Sequence, residues 1–187
     1  MKQTRCEWAE SKNPLMVTYH DKEWGKPIKD DHKLFEFVIL EGAQAGLSWN
    51  TVLNRRENYR ALFKGFDPDK LARLTDKQLD KILKDPGIIR NRLKVYSVRT
   101  NARVCLEVQK EFGTFRKYLW DFVGGKPVKN KWKTLSQIPA TTPESDALSK
   151  DMKKRGFKFV GSTICYAFMQ AVGMVDDHTV DCFRYKR

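Results

Sequence analysis

No stretch of this 187-residue chain approaches the roughly 18 consecutive apolar residues that a membrane-spanning helix needs, which argues against an integral helical membrane protein. The first ten residues, MKQTRCEWAE, lack the apolar core of a secretory signal, so the expected compartment is the cytoplasm, where thiols stay reduced. Under that expectation the four cysteines, at 6, 105, 165 and 182, read as metal ligands or buried thiols rather than disulfides. Alternating strand patterns are scarce, FKFV (157–160) being the one weak candidate, and there is no internal repeat or low-complexity tract. Acidic residues are the scarce charge: 23 Asp and Glu stand against 36 Lys and Arg, a formal net charge of +13. That excess suits a polyanionic partner, with nucleic acid favoured over an anionic membrane surface. It is concentrated in RNRLK (90–94), KPVKNKWK (126–133) and KDMKKRGFK (150–158).

What remains is rich in helix grammar, and the expected fold class is all-α. With 41% hydrophobic and 12% aromatic residues, the length suits one globular unit. DDHKLFEFVILEG predicts a helix over about 32–41, capped by Asp30 or Asp31 and stopped by Gly42. SWNTVLNRRENYRALF predicts a second, and FDPDKLARL a short third with Asp67 as cap and Pro68 in its first turn. Thr75 and Gln78 have capping-box spacing at the head of TDKQLDKILKD, which runs through PGII into the long pattern RNRLKVYSVRTNARVCLEVQKEF. TTPESDALSKDMKKRG predicts a capped helix ending at Gly156, and STICYAFMQAVG a helix apolar almost all round, hence buried. VGGKPVKNKWKTLSQIP is the main irregular stretch, and the two chain ends show little regular pattern.

Three constellations carry chemistry. A Cys/His pair lies near each end, Cys6 with His20 and His178 with Cys182, and two thiolates with two imidazoles form a standard tetrahedral zinc set. The alternative is two ordinary thiols and two surface imidazoles. PGIIRNRLK has the form of a helix-hairpin-helix turn: Pro86 and Gly87 bend the chain, Ile88 and Ile89 anchor it, and Arg90, Arg92 and Lys94 supply charge beside helix amides that favour a phosphate. Such turns also occur in proteins that never meet DNA. Third, Tyr19 and Trp24 flank His20, Trp8 follows Cys6 and Trp49 comes eight residues after Glu41, and an extruded cationic base needs flat rings for its faces and a carboxylate for its edge. Ordinary core packing is the competing account of the rings.

Taken together, YHDKEWG (19–25), LEGAQAGLSW (40–49), RRENYR (55–60), GIIRNRLK (87–94) and the long run from Ser145 to His178 closely resemble the bacterial type I 3-methyladenine DNA glycosylases. The resemblance covers nearly the whole chain. It implies a helix-hairpin-helix glycosylase fold: a single unit over 1–187, with a helical region at about 30–140 containing the hairpin at about 76–105. Segments 1–29 and about 141–187 would form a terminal subdomain pinned by one structural zinc on Cys6, His20, His178 and Cys182. The implied activity is monofunctional hydrolysis of the N-glycosidic bond of 3-methyladenine in alkylated double-stranded DNA, releasing the free base, by a cytoplasmic monomer. Glu41 would be the catalytic and base-recognising carboxylate, with Trp49 stacking on the base and Tyr19, Trp24 and Trp8 completing the pocket. Gly46, Leu47, Gly87, Arg90 and Arg92 would contact DNA. Met16 and Ala43 stand where relatives can carry larger or different side chains, which puts the shape of the pocket in question. Residues 91–104 contain no acid, so the aspartate that many hairpin glycosylases use there is missing. A non-catalytic, zinc-stabilised nucleic-acid-binding module is the alternative.

Overall fold

A computed structural model describes residues 3–185, and its framework is helical. The elements in order are α1 (Pro14–Lys22), α2 (Asp31–Gln44), α3 (Trp49–Leu53), α4 (Arg56–Leu62), α5 (Pro68–Ala72), α6 (Asp76–Leu83), α7 (Arg92–Phe112), α8 (Phe115–Asp121), α9 (Pro143–Arg155) and α10 (Ser162–Ala171). Among the described residues none is long and apolar enough to cross a membrane.

Helix α2 is the axis of the molecule. Every residue from Leu34 to Ala43 is buried, and α3, α7, α8 and α10 pack around it. Burial on all sides is why Glu36 and Glu41 are found inside the protein at all. The helix starts where the Asp30 side chain accepts the Lys33 amide at 2.8 Å, but it runs past Gly42 to Gln44. Gly42 is a close-packing position rather than a stop: a Cβ there would lie 3.1 Å from that of Phe159.

Local capping holds where the sequence spelled it. The Asp67 side chain accepts the Asp69 and Lys70 amides, Thr75 and Gln78 close a reciprocal capping box, and Thr142 caps α9, which ends on left-handed Gly156. Helix, turn, helix is realised over α6, residues 84–91 and α7, where Asn91 accepts the Lys94 amide at 3.1 Å.

Four expectations are corrected. The second helix is two, α3 and α4. It breaks at Asn54 and Arg55, and Asn13 of the α1 cap donates to the Asn54 side-chain oxygen at 3.0 Å. The N-terminal end is not irregular, since Asn13 and Pro14 start α1 as cap and first-turn proline. FKFV is not a strand: Phe159 has φ 57°, and the Asn101 side chain pairs with both the N–H and the C=O of Lys158 (2.8 and 3.1 Å), replacing a neighbouring strand with one amide. The class is predominantly rather than wholly helical. Val128–Lys129 (β1) pairs in parallel with Val175–Asp176 (β2), stitching the irregular stretch to the C-terminal segment.

Candidate active site

A cleft of about 410 Å³ opens between the N-terminal segment, α2, α3 and α10. Trp8, Tyr19 and Trp24 line one side, Glu41 and Gln44 the floor, Trp49 a second side, and Tyr166 and Gln170 a third; residues 135–140 edge the mouth. All five residues assigned to the base pocket from sequence therefore meet in one place. Their rings form a continuous set. Trp49 stacks near-parallel to Phe37 (6.3 Å, 18°) and lies 5.2 Å from Tyr19, while Trp8 meets Trp24 edge-on at 5.0 Å and Tyr19 at 6.3 Å.

Glu41 is 4% exposed, and its carboxyl, which lines the cleft, takes no hydrogen bond from a side chain or backbone of the described residues. Burial pushes its pKa up to about 8, against the opposing field of the Arg56 guanidinium. Arg56 is itself buried and fully engaged, donating to both oxygens of Glu23 (2.7 and 2.7 Å) and to Glu36 (2.6 Å), with its guanidinium 5.0 Å from the Phe37 ring centre. Glu41 is thus an acid that nothing in the protein satisfies. Burial, followed by the charge of Glu41, drives the Tyr19 phenol well above its ordinary value, so it remains a neutral donor. The buried Trp49 Nε1 also has no partner. Stacked rings around an uncompensated acid make a site for a flat, electron-poor ring.

Sequence reasoning missed Gln44, Tyr166, Gln170 and Arg56. Gln44 was within reach, being three residues from Glu41 on one helix and hence on the same face. Gln170 is the lone amide in the apolar run of α10. Arg56 had no local signal. Met16 does line the cleft, whereas Ala43 lines a separate narrow crevice with Gly42, Tyr59 and Lys94, so it does not shape the base site as a wall.

The terminal Cys/His residues also converge. Donor atoms of Cys6, His20 and Cys182 lie within 4.8 Å of one another, all three residues buried, and this group can hold a metal ion. His178 falls outside that set, although its ring lies 5.3 Å from that of His20. The donor chemistry fits a metal. His20 gives Nδ1 to Asp21 at 2.8 Å and turns Nε2 to Cys182 Sγ at 3.5 Å; His178 gives Nδ1 to Asp176 at 2.8 Å and leaves a buried, unpartnered Nε2. Carboxylate-oriented imidazoles of this kind are the usual outer support of metal ligands. The hydrogen bond from Cys6 holds the Cys182 thiol below the ordinary thiol range. Trp24 packs edge-on to His178 at 4.7 Å and Trp8 edge-on to His20 at 5.3 Å, so the cluster backs the aromatic wall of the cleft. The other two thiols, Cys105 and Cys165, are buried and raised by that burial.

Between α2 and α3, Gly46 has φ 76° and faces open space where a side chain would point, and Leu47 is 43% exposed. Lys94, grouped in the sequence with the free charges, instead donates to the carbonyls of Ala43 and Ala45 (2.9 and 2.6 Å), tying α7 to the end of α2. In the turn before α7, a Cβ on Gly87 would lie 1.7 Å from Asn58 Nδ2, so only glycine fits without displacing that side chain. Arg90 is exposed, and Arg92 is paired with Asp80 at 2.7 Å.

Residues 8–185 match the methyladenine glycosylase family. The chain is 52% identical over 181 residues to DNA-3-methyladenine glycosylase 1 of Escherichia coli K12, covering 97% of this chain and 96% of that protein. Among solved structures it superposes on a crystal structure of 3-methyladenine DNA glycosylase I with a TM-score of 0.95 at 50% identity, covering 98% of this chain and 100% of that one. It superposes on the Staphylococcus aureus 3-methyladenine DNA glycosylase I, in a structure describing recognition of 3-methyladenine, with a TM-score of 0.92 at 35% identity and 95% coverage of each. The chain belongs to the methyladenine glycosylase family.

Proposed function

We propose that this protein excises 3-methyladenine from alkylated double-stranded DNA by hydrolysing the N9–C1′ bond, leaving an abasic site. The observation that carries the reading is Glu41, a buried carboxyl without a protein partner, opening into a cleft walled by Trp8, Tyr19, Trp24 and Trp49. Methylation at N3 puts a positive charge on the purine, and a charged flat ring is what stacked indoles and a carboxylate bind best. The same charge activates the leaving group. As N9–C1′ breaks, its electron pair returns to the purine, which departs neutral without prior protonation; water oxygen bonds C1′ and a water proton passes to solvent. Glu41 holds the adenine edge and offsets the positive charge that grows on the sugar in the transition state. Trp49 provides the stacking face. Among the described residues no lysine lines the cleft, and the reading takes the enzyme as a monofunctional hydrolase.

The paired helices α6 and α7 with their turn act in this reading as the helix-hairpin-helix contact to the phosphate backbone, through Gly87, Arg90 and Arg92, while Gly46 and Leu47 enter the gap left by the extruded base. The exposure of Leu47 supports that use over a buried one. A zinc ion held by Cys6, His20 and Cys182, with His178 as fourth donor, would cross-link the ends, joining 1–29 and 141–187 into one terminal subdomain of a single glycosylase unit. We take the enzyme to act as a monomer in the cytoplasm.

The test is release of free 3-methyladenine from methylated duplex DNA, read by chromatography of the released bases. Wild-type protein should release it, and Trp49→Ala should lower kcat/KM by about ten- to hundredfold through loss of stacking. Binding to DNA without release of any base would instead mark a non-catalytic module. At the hairpin, Arg90→Ala should weaken DNA binding and lower the salt dependence by about one counterion, measured by titration at several ionic strengths. Arg92→Ala should do so less, because Asp80 already neutralises that guanidinium.

A further inference from the structure

Asp177 is wholly buried and has no cationic partner among the described residues, yet its carboxylate is saturated by four neutral donors. Oδ1 accepts from Asn130 Nδ2 (2.7 Å) and Trp132 Nε1 (2.8 Å); Oδ2 accepts from the Tyr166 hydroxyl (2.6 Å) and Gln170 Nε2 (2.8 Å). The last two residues, one turn apart on α10, form a wall of the base cleft.

The chemistry of these bonds dictates what that wall presents. A carboxylate only accepts, so the Gln170 amide must turn its nitrogen toward Asp177, which leaves Oε1, unpartnered among the described residues, as its remaining polar atom. Tyr166 spends its single O–H on Asp177, so its oxygen can offer only lone pairs to anything else. The α10 wall of the cleft, Tyr166 and Gln170, is thus held with acceptors toward the base. An adenine edge, with its exocyclic N–H donors, complements such a wall, whereas the O6 carbonyl of a guanine edge opposes it.

We infer that Asp177 is a specificity-positioning residue, which fixes Gln170 and Tyr166 as acceptors and so biases the cleft toward 3-methyladenine over 3-methylguanine. This rests on the glycosylase reading above. Its action is through the two side chains; Asp177 does not touch the base.

Asp177→Asn is the test, because asparagine has nearly the same shape but replaces one accepting oxygen with an NH2 donor group. The donor-only Trp132 Nε1 will keep the asparagine oxygen, which leaves the asparagine nitrogen facing Gln170, whose amide then flips and presents N–H to the cleft. Release of both bases from methylated duplex DNA is followed with kcat and KM separated. The expected result is a fall of about ten- to hundredfold in the 3-methyladenine to 3-methylguanine ratio of kcat/KM, at a circular-dichroism spectrum matching wild type. Gln170→Leu, which removes the acceptor and leaves Asp177 the donors Asn130, Trp132 and Tyr166, should move the ratio the same way and serves if the asparagine variant does not fold. Parallel loss on both bases in either folded variant, or an unchanged ratio, overturns the inference while the glycosylase reading stands. A wild-type chain that releases neither base defeats that reading, and this inference with it.

Discussion

Replacing Glu41 by glutamine should give a protein that is more stable and nearly inactive. The carboxyl is buried without a hydrogen-bond partner, and burial raises its pKa from 4.5 to about 8. Between those values the folded protein holds a proton that the unfolded chain has already released, so stability falls as pH rises through this window. At pH 7 the penalty is on the order of 3 kcal/mol. Glutamine removes it, so the stability difference between variant and wild type should be near zero below pH 4.5, grow across the window and level off above pH 8. Chemical denaturation at several pH values reads this directly, and a variant no more stable than wild type at pH 8 would count against the buried, unsatisfied acid. Activity should move in the opposite sense. Without the carboxylate, base release should drop by at least about a hundredfold. In wild type, kcat/KM should climb with pH up to about 8, because the free enzyme must lose the Glu41 proton to hold a cationic base.

Disrupting the Cys/His cluster should be the most damaging change outside the cleft. The protein as purified should carry one zinc ion per chain, and Cys182→Ser should lose it. Losing it should lower stability by at least several kcal/mol, on the order of 10 °C in Tm, since metal bonds would add to a junction of the two terminal segments otherwise made by a few contacts such as the Phe183 amide on the Thr4 carbonyl (2.9 Å) and Arg5 over the Phe183 ring. Trp24 and Trp8 lean on His178 and His20, so tryptophan fluorescence should change together with metal loss. Elemental analysis of metal content and a melting curve check the claim. A zinc-free wild-type protein of unchanged stability would leave the cluster as packed thiols and imidazoles.

Much of this molecule can be read from short stretches of its sequence. Asp67 before Pro68, and Thr75 three residues before Gln78, announce helix starts because capping is satisfied within one turn. Asn13 before Pro14 carries the same local signal, and so does the same-face spacing of Glu41 and Gln44. The turn at Phe159 was not legible, since the residue before it is held by a side chain far away in sequence, Asn101. The residues of the pocket and of the Cys/His cluster were named together only through family resemblance; spacing alone left both open.

By itself, then, the sequence determined the helical framework, the positions of most caps, the basic surface and the supply of aromatic rings, because those properties arise within a few neighbouring residues. Only the tertiary structure decided that Glu41 is a buried acid without a protein partner at the cleft, that Arg56 is spent on Glu23 and Glu36, and that Asp177 takes hydrogen bonds from Tyr166 and Gln170. Desolvation and hydrogen-bond saturation are sums over everything that surrounds a group, and around each of these groups the surroundings come from remote parts of the chain.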